Sequence, residues 1–142
     1  MRSLFFLIFF INYISIAHAD INISEAWARA SKPGQTIGAA YMTLMSKEEN
    51  ILVSVDTKAA DTVEIHSMEM KNGIMKMRML ETLALPPNQK IKLTPGSFHL
   101  MLFDLKKPLK TGEKIDLTLC FKNKLGKMTH QNVSLPVQDY QR

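Results

Sequence analysis

The chain has 142 residues, 46% of them hydrophobic and 22% charged, which suits one globular domain and leaves little room for a second. Its formal charge is +5, but the basic residues are scattered apart from Lys106-Lys107, so there is no clustered nucleic-acid footprint. Cys120 is the single cysteine, which excludes an internal disulfide and any C-x-x-C thiol-disulfide chemistry.

The first stretch, "MRSLFFLIFFINYISIAHAD", places Arg2 before an apolar run from Leu4 to Ile16 and ends in Ala17-His18-Ala19. That is the three-part pattern of a secretory signal peptide, with cleavage expected after Ala19. The run is well short of the ~20 apolar residues that span a bilayer, and Asn12 and Ser15 interrupt it. No cysteine follows it, which argues against a lipid anchor at that point. The expected organisation is residues 1–19 as signal and residues 20–142 as a single exported domain without a membrane span.

Beyond the signal no stretch sustains the i, i+3, i+4 apolar pattern of a helix, whereas short alternating runs recur between Gly and Pro punctuation. Strands are expected over 21–27, 39–45, 51–56, 62–70, 74–80, 90–93, 98–104, 114–121 and 132–137. Turns are expected at Lys32-Pro33-Gly34, Asn72-Gly73, Pro86-Pro87-Asn88, Pro95-Gly96 and Thr111-Gly112. This is an all-β pattern, a two-sheet sandwich or small barrel, with Trp27, Tyr41, Phe98, Phe103 and Phe121 as expected core anchors. In "KIDLTLCF" Ile115, Leu117, Leu119 and Phe121 take one face and Cys120 the other. The expectation for Cys120 is a small, inert residue; a thiolate ligand or an intermolecular bridge is the alternative.

The segment "EIHSMEMKNGIMKMRML", residues 64–80, carries five methionines around Asn72-Gly73, the strongest short-range hairpin signal. A two-residue loop there pairs Lys71 with Ile74, Met70 with Met75, Glu69 with Lys76, Met68 with Met77, Ser67 with Arg78 and His66 with Met79. Because opposed residues share a face, His66, Met68, Met70, Met75, Met77 and Met79 project to one side. Ile65, Ser67, Glu69, Lys76, Arg78 and Leu80 project to the other, with Glu69 and Lys76 as an expected cross-strand ion pair. Two readings of the sulfur-rich side stand open. It is a face packed on the sandwich, since methionine fills cores readily, or it is a soft-metal surface, since thioethers need no deprotonation and suit Cu(I). Further on, "GSFHLMLFD" sets His99 and Met101 two apart, and so on one face of one strand.

At these residues the chain resembles the periplasmic copper chaperones of the PCu(A)C family, whose signature is a histidine, ten residues, a methionine, twenty-one residues and then His-x-Met. His66, Met77, His99 and Met101 stand at those positions. The blocks "AWARASKPGQTIGAAYMTL", "LTPGSFHLMLFDLKKPLKTGEKIDLTLCF" and "VSLPV" extend the resemblance over nearly the whole domain. It implies a cupredoxin-like, Greek-key β-sandwich that binds Cu(I) through His66, Met77, His99 and Met101. It also implies delivery of copper in the periplasm to an acceptor, a cytochrome c oxidase subunit or a thioredoxin-like assembly factor, by a monomeric carrier. Met68 and Met79 are neighbours able to substitute or shield. The chain departs from relatives with Met- or His-rich tails, because "SLPVQDYQR" has none, and Met128 and His130 form a further Met-x-His pair. No Ser/His/Asp spacing, phosphate loop, paired carboxylates or open zinc motif points to an enzyme. A copper buffer or resistance protein, and a metal-free β-sandwich interaction module, are the alternatives.

Overall fold

The structure, a computed structural model, describes residues 21–140; the expected signal peptide and its cleavage point lie outside the described residues. The alternating runs form ten strands: β1 (Ile21–Arg29), β2 (Gly38–Ser46), β3 (Asn50–Thr57), β4 (Ala60–Lys71), β5 (Ile74–Leu80), β6 (Leu83–Leu85), β7 (Lys90–Leu93), β8 (His99–Leu105), β9 (Lys114–Asn123) and β10 (Met128–Gln138). They pair in the order β5-β4-β8-β2-β1-β10-β9-β3-β6, with β7 also on β2. The seam in this path is β1–β10, a parallel contact of two residue pairs, Ala28 with Val137 and Arg29 with Gln138.

One apolar cluster joins the two halves of that path. Met42, Leu44, Ile65, Leu100 and Leu102 from the first half meet Leu52, Val55, Leu117, Leu119, Phe121 and Leu135 from the second. The halves therefore face one another as a sandwich, with the core between them. Alternation then fixes what the outside carries. Leu100 and Leu102 point inward from β8, so His99, Met101 and Phe103 point outward; Ile65 points inward from β4, so Glu64, His66 and Met68 point outward with them.

The hairpin has the register read from its turn, from Lys71 opposite Ile74 to Ile65 opposite Leu80. Asn72 and Gly73 take φ of 52° and 75°, as a type I′ turn requires of both central residues. Glu69 differs from expectation: its carboxylate makes a 3.9 Å ion pair with Arg78. Lys76 is directly opposite Glu69 in register, but both members of the observed pair are exposed, where such contacts hold little energy.

Three strand expectations change. Leu83–Leu85 is a strand on β3, too short to show an alternation in sequence. The last strand begins at Met128, not at 132, because its pairing with β9 runs back to Lys122 beside the Asn123–Lys127 turn. In β1 the register slips between Ser24 and Trp27, and Glu25 at this bulge has φ of 53° while its carboxylate accepts a 2.7 Å hydrogen bond from the Thr43 hydroxyl.

Of the expected aromatic anchors, Phe121 and Tyr41 are buried, whereas Trp27, Phe98 and Phe103 are half-buried. Trp27 lies outside the core, stacked on Tyr140 and tilted against Tyr41, and both tyrosine rings lie beside the Arg29 guanidinium. Burial pushes the Tyr41 phenol above its ordinary range, and the Arg29 charge pulls the other way. Cys120 is buried and free, outside the apolar cluster that Leu117, Leu119 and Phe121 join.

Candidate metal centre

The four residues to which the resemblance assigns ligand roles lie on three neighbouring strands, β5, β4 and β8. His66 on β4 and His99 on β8 are directly opposed, and their ring centroids are 5.7 Å apart. A metal–imidazole bond of about 2 Å, added to a ring radius of about 1 Å, puts two rings that share one ion no more than about 6 Å apart. The spacing therefore suits a single cation between them. Met101 follows His99 on the same face, half-buried and opposite Glu64. Met77 lies one row nearer the turn, opposite Met68 and diagonal to His66, while Met79 is the thioether directly opposite His66.

Hydrogen bonds fix which ring nitrogens remain available. The Nδ1 of His99 is 2.9 Å from the Ser97 carbonyl oxygen. A carbonyl only accepts, so Nδ1 carries the proton and Nε2 of the neutral ring keeps its lone pair. In His66 the arrangement is reversed. Its Nε2 lies 2.7 Å from a Glu64 carboxylate oxygen, so the neutral ring donates from Nε2 and leaves a lone pair on Nδ1. That Nδ1 is buried with no hydrogen-bond partner. An orphaned buried acceptor costs about 1–3 kcal/mol, and a bound cation is one group that would satisfy it.

The surroundings match a soft, weakly hydrated ion. Both histidines are on the outer face yet only 8% and 6% exposed, and the Phe103 ring lies 6.2 Å from that of His66. Among the described residues no group of three or more His, Cys, Asp or Glu side chains comes together as a rival metal site. The Glu64 carboxylate, hydrogen-bonded to Nε2 of the His66 ring, places a negative charge beside the pair. A concavity of about 930 Å³ lined by residues including Asp56, Lys114, Asp116 and Ser134 carries no histidine, methionine or cysteine.

Glu64 escaped the sequence reading, although its signal was present: it stands two residues before His66 and so on the same face. Met128 and His130 are on β10, opposite Lys122 and Cys120, and β2 and β1 lie between that strand and β8 in the sheet order. They are not part of this cluster. The sulfur-rich hairpin side is not packed on the sandwich either, because Met70, Met75, Met77 and Met79 are 65%, 44%, 51% and 54% exposed.

The family described as "Putative lipoprotein LpqE-like" matches residues 21–137, almost all of the described chain. The chain belongs to the LpqE-like family. This LpqE-like chain is 30% identical over 121 residues to the "Putative lipoprotein Lxx21020" of Leifsonia xyli subsp. xyli (strain CTCB07), covering 84% of this chain and 70% of that one. Among solved structures it is similar to the Cu(I) form of DR1885 from Deinococcus radiodurans, with 30% identity, a TM-score of 0.65, and 88% and 82% of the two chains covered. It also superposes on the copper-bound PCuAC domain from PmoF2, with a TM-score of 0.70 and 87% and 97% covered; at 24% identity that likeness speaks for the fold. The LpqE-like chain thus has the all-β, cupredoxin-like fold of PCuAC domains, and the resemblance to the PCu(A)C family is borne out.

Proposed function

We propose that this protein is a non-enzymatic Cu(I) carrier that works after export, taking up one Cu(I) and passing it to a copper-accepting protein. The observation that carries this reading is the opposed pair His66–His99, each ring held so that one nitrogen keeps its lone pair, at the base of a thioether-bearing face. The copper-bound forms of DR1885 and of the PmoF2 domain support it. His66, His99, Met77 and Met101 are the proposed donors. Two neutral imidazoles and two thioethers leave a cationic site that favours Cu(I) over Zn²⁺, which takes thiolate, imidazole or carboxylate. The absence of thiolate from the set also separates it from the His₂Cys arrangement of electron-transfer copper.

A site borne on strands at an outer face can exchange ligands with a docked acceptor, and delivery to a respiratory oxidase is the proposed destination. A deletion strain is expected to lose copper loading of that oxidase and to regain it on low-level expression; loading that does not change assigns the protein to buffering. Export is supported by the signal pattern of residues 1–19 and by the lipoprotein description of its relatives. Among the described residues no helix is long and apolar enough to cross a membrane.

Two substitutions test the donors and their support. Met77→Leu removes a thioether at nearly constant volume and is expected to weaken Cu(I) binding about tenfold or more, read by competition with a chromogenic Cu(I) chelator. X-ray absorption of the wild-type complex should show nitrogen and sulfur scatterers, with fewer sulfurs in Met77→Leu. An unchanged titration for this variant would remove Met77 from the set. Glu64→Ala frees the His66 ring to turn and to change tautomer, and such outer contacts are worth about 10–100-fold in metal affinity. The expected loss is about tenfold, with a proton NMR signature of altered His66 tautomer populations; equal affinity and an unaltered tautomer would deny Glu64 this role.

A further inference from the structure

The outward face of the hairpin continues past His66 with thioethers that the four-donor set does not use. Their rows follow from the register: His66 opposite Met79, then Met68 opposite Met77, then Met70 opposite Met75 nearest the turn. Successive rows are two residues, about 7 Å, apart along the strands. Along β4 the exposure falls from 65% at Met70 through half-buried Met68 to 8% at His66, while the β5 side stays open.

We propose that Met70 and Met75, together with Met68, form a second and weaker site for a soft monovalent cation of the Cu(I) or Ag(I) class, from which the ion passes inward to His66 and His99. The inference rests on the soft-metal reading above and extends it to residues outside that site. Directly opposed residues have Cβ atoms about 4.5–5.5 Å apart, and diagonal neighbours remain within reach of long side chains. Unbranched methionines at 70, 75 and 68 can therefore turn their sulfurs onto one ion. Met77, opposite Met68, is the thioether shared between the outer and inner rows, so a cation moves inward by exchanging one ligand at a time.

Two features favour a cation over a protein partner as the occupant. Every basic side chain of the hairpin, Lys71, Lys76 and Arg78, alternates to the opposite face, which leaves the methionine side free of repelling charge. The exposed positions also carry sulfur where Val or Ile would pair better in a strand, and solvent exposure denies methionine its usual reward of filling a core gap.

The test is an Ag(I) titration of the full chain with ¹³C-methyl methionine labels, since Ag(I) keeps the soft donor preference without copper redox chemistry. The first equivalent is expected to move the His66 and His99 rings and the Met77 and Met101 methyls. The second is expected to move the Met68, Met70 and Met75 methyls. Met70→Leu/Met75→Leu should abolish the second event while first-equivalent affinity changes less than threefold. In His66→Ala/His99→Ala the tip event should survive although tight binding is lost, so the outer site stands or falls separately from the inner one. Tip methyls that stay unmoved through three equivalents, as a purely protein-binding face would give, would overturn the proposal. So would a second event that persists without Met70 and Met75.

Discussion

His66→Ala/His99→Ala is expected to bind Cu(I) at least 100-fold more weakly than the wild-type chain in competition with a chromogenic Cu(I) chelator. Both nitrogens are lost at once, and what remains near the ion is a pair of thioethers, Met77 and Met101, on the two strands that flank β4. Removing a contact that merely orients a ligand lowers metal affinity about 10–100-fold, so losing two donors outright cannot cost less. The fold should survive, because neither histidine belongs to the apolar cluster that joins the two halves and both point away from it. The His66 ring also brings an unpartnered buried nitrogen in the metal-free protein, so its removal relieves part of the packing it costs. A retained β-sheet circular dichroism spectrum with affinity within tenfold of wild type would rule out the histidine pair as the copper site. Loss of the sheet signal would call for His66→Phe/His99→Phe, which keeps ring volume without a donor and should give the same fall in affinity.

The hairpin was readable because one local rule fixes everything after it. Asn72-Gly73 sets a two-residue loop, the loop sets the register, and the register assigns each of residues 65–80 to a face. What the register cannot supply is what covers that face. The methionines were open to a core reading on composition alone, and it is their place on the outward face, with the hairpin tip running past the last β4–β8 pair, that leaves four of them exposed. Phe103 follows the same logic. Its size suggested a core anchor, but it shares the alternation phase of His99 and Met101, so Leu100 and Leu102 take the core and Phe103 shields His66. His66 and His99 come together through a β4–β8 pairing of residues thirty-three apart, which no local pattern encodes; the spacing of the signature held that information only through the family resemblance. Leu83–Leu85 and the early start of β10 escaped for the opposite reason, being strands defined by their partners rather than by their own sequence.

Phe121→Ala is expected to lower stability by about 3–5 kcal/mol, through lost apolar transfer and the cavity left behind. Phe121 leads the fully buried side chains by volume. It sits on β9 between Leu52 of β3 and Thr129 of β10, in the half of the sandwich opposite the histidines. For a domain of this size the loss corresponds to a fall in Tm of about 10–20 °C. Because the cavity opens on the far side of the core from His66 and His99, the folded fraction should keep its copper site, which ties this variant to function. A ligand that binds only the native state adds about 2.7 kcal/mol at one hundred times its Kd. Cu(I) at that excess should therefore restore more than half of the lost Tm. If Phe121→Ala is too unstable to isolate, Phe121→Leu, which leaves a smaller cavity and so costs less, should show the same rise on copper addition. A Tm that falls by less than about 5 °C in the alanine variant would mean that Phe121 does not anchor the core. A rise on copper addition in the wild type but in neither variant would mean that core and site are coupled, contrary to their placement on opposite sides of the sandwich.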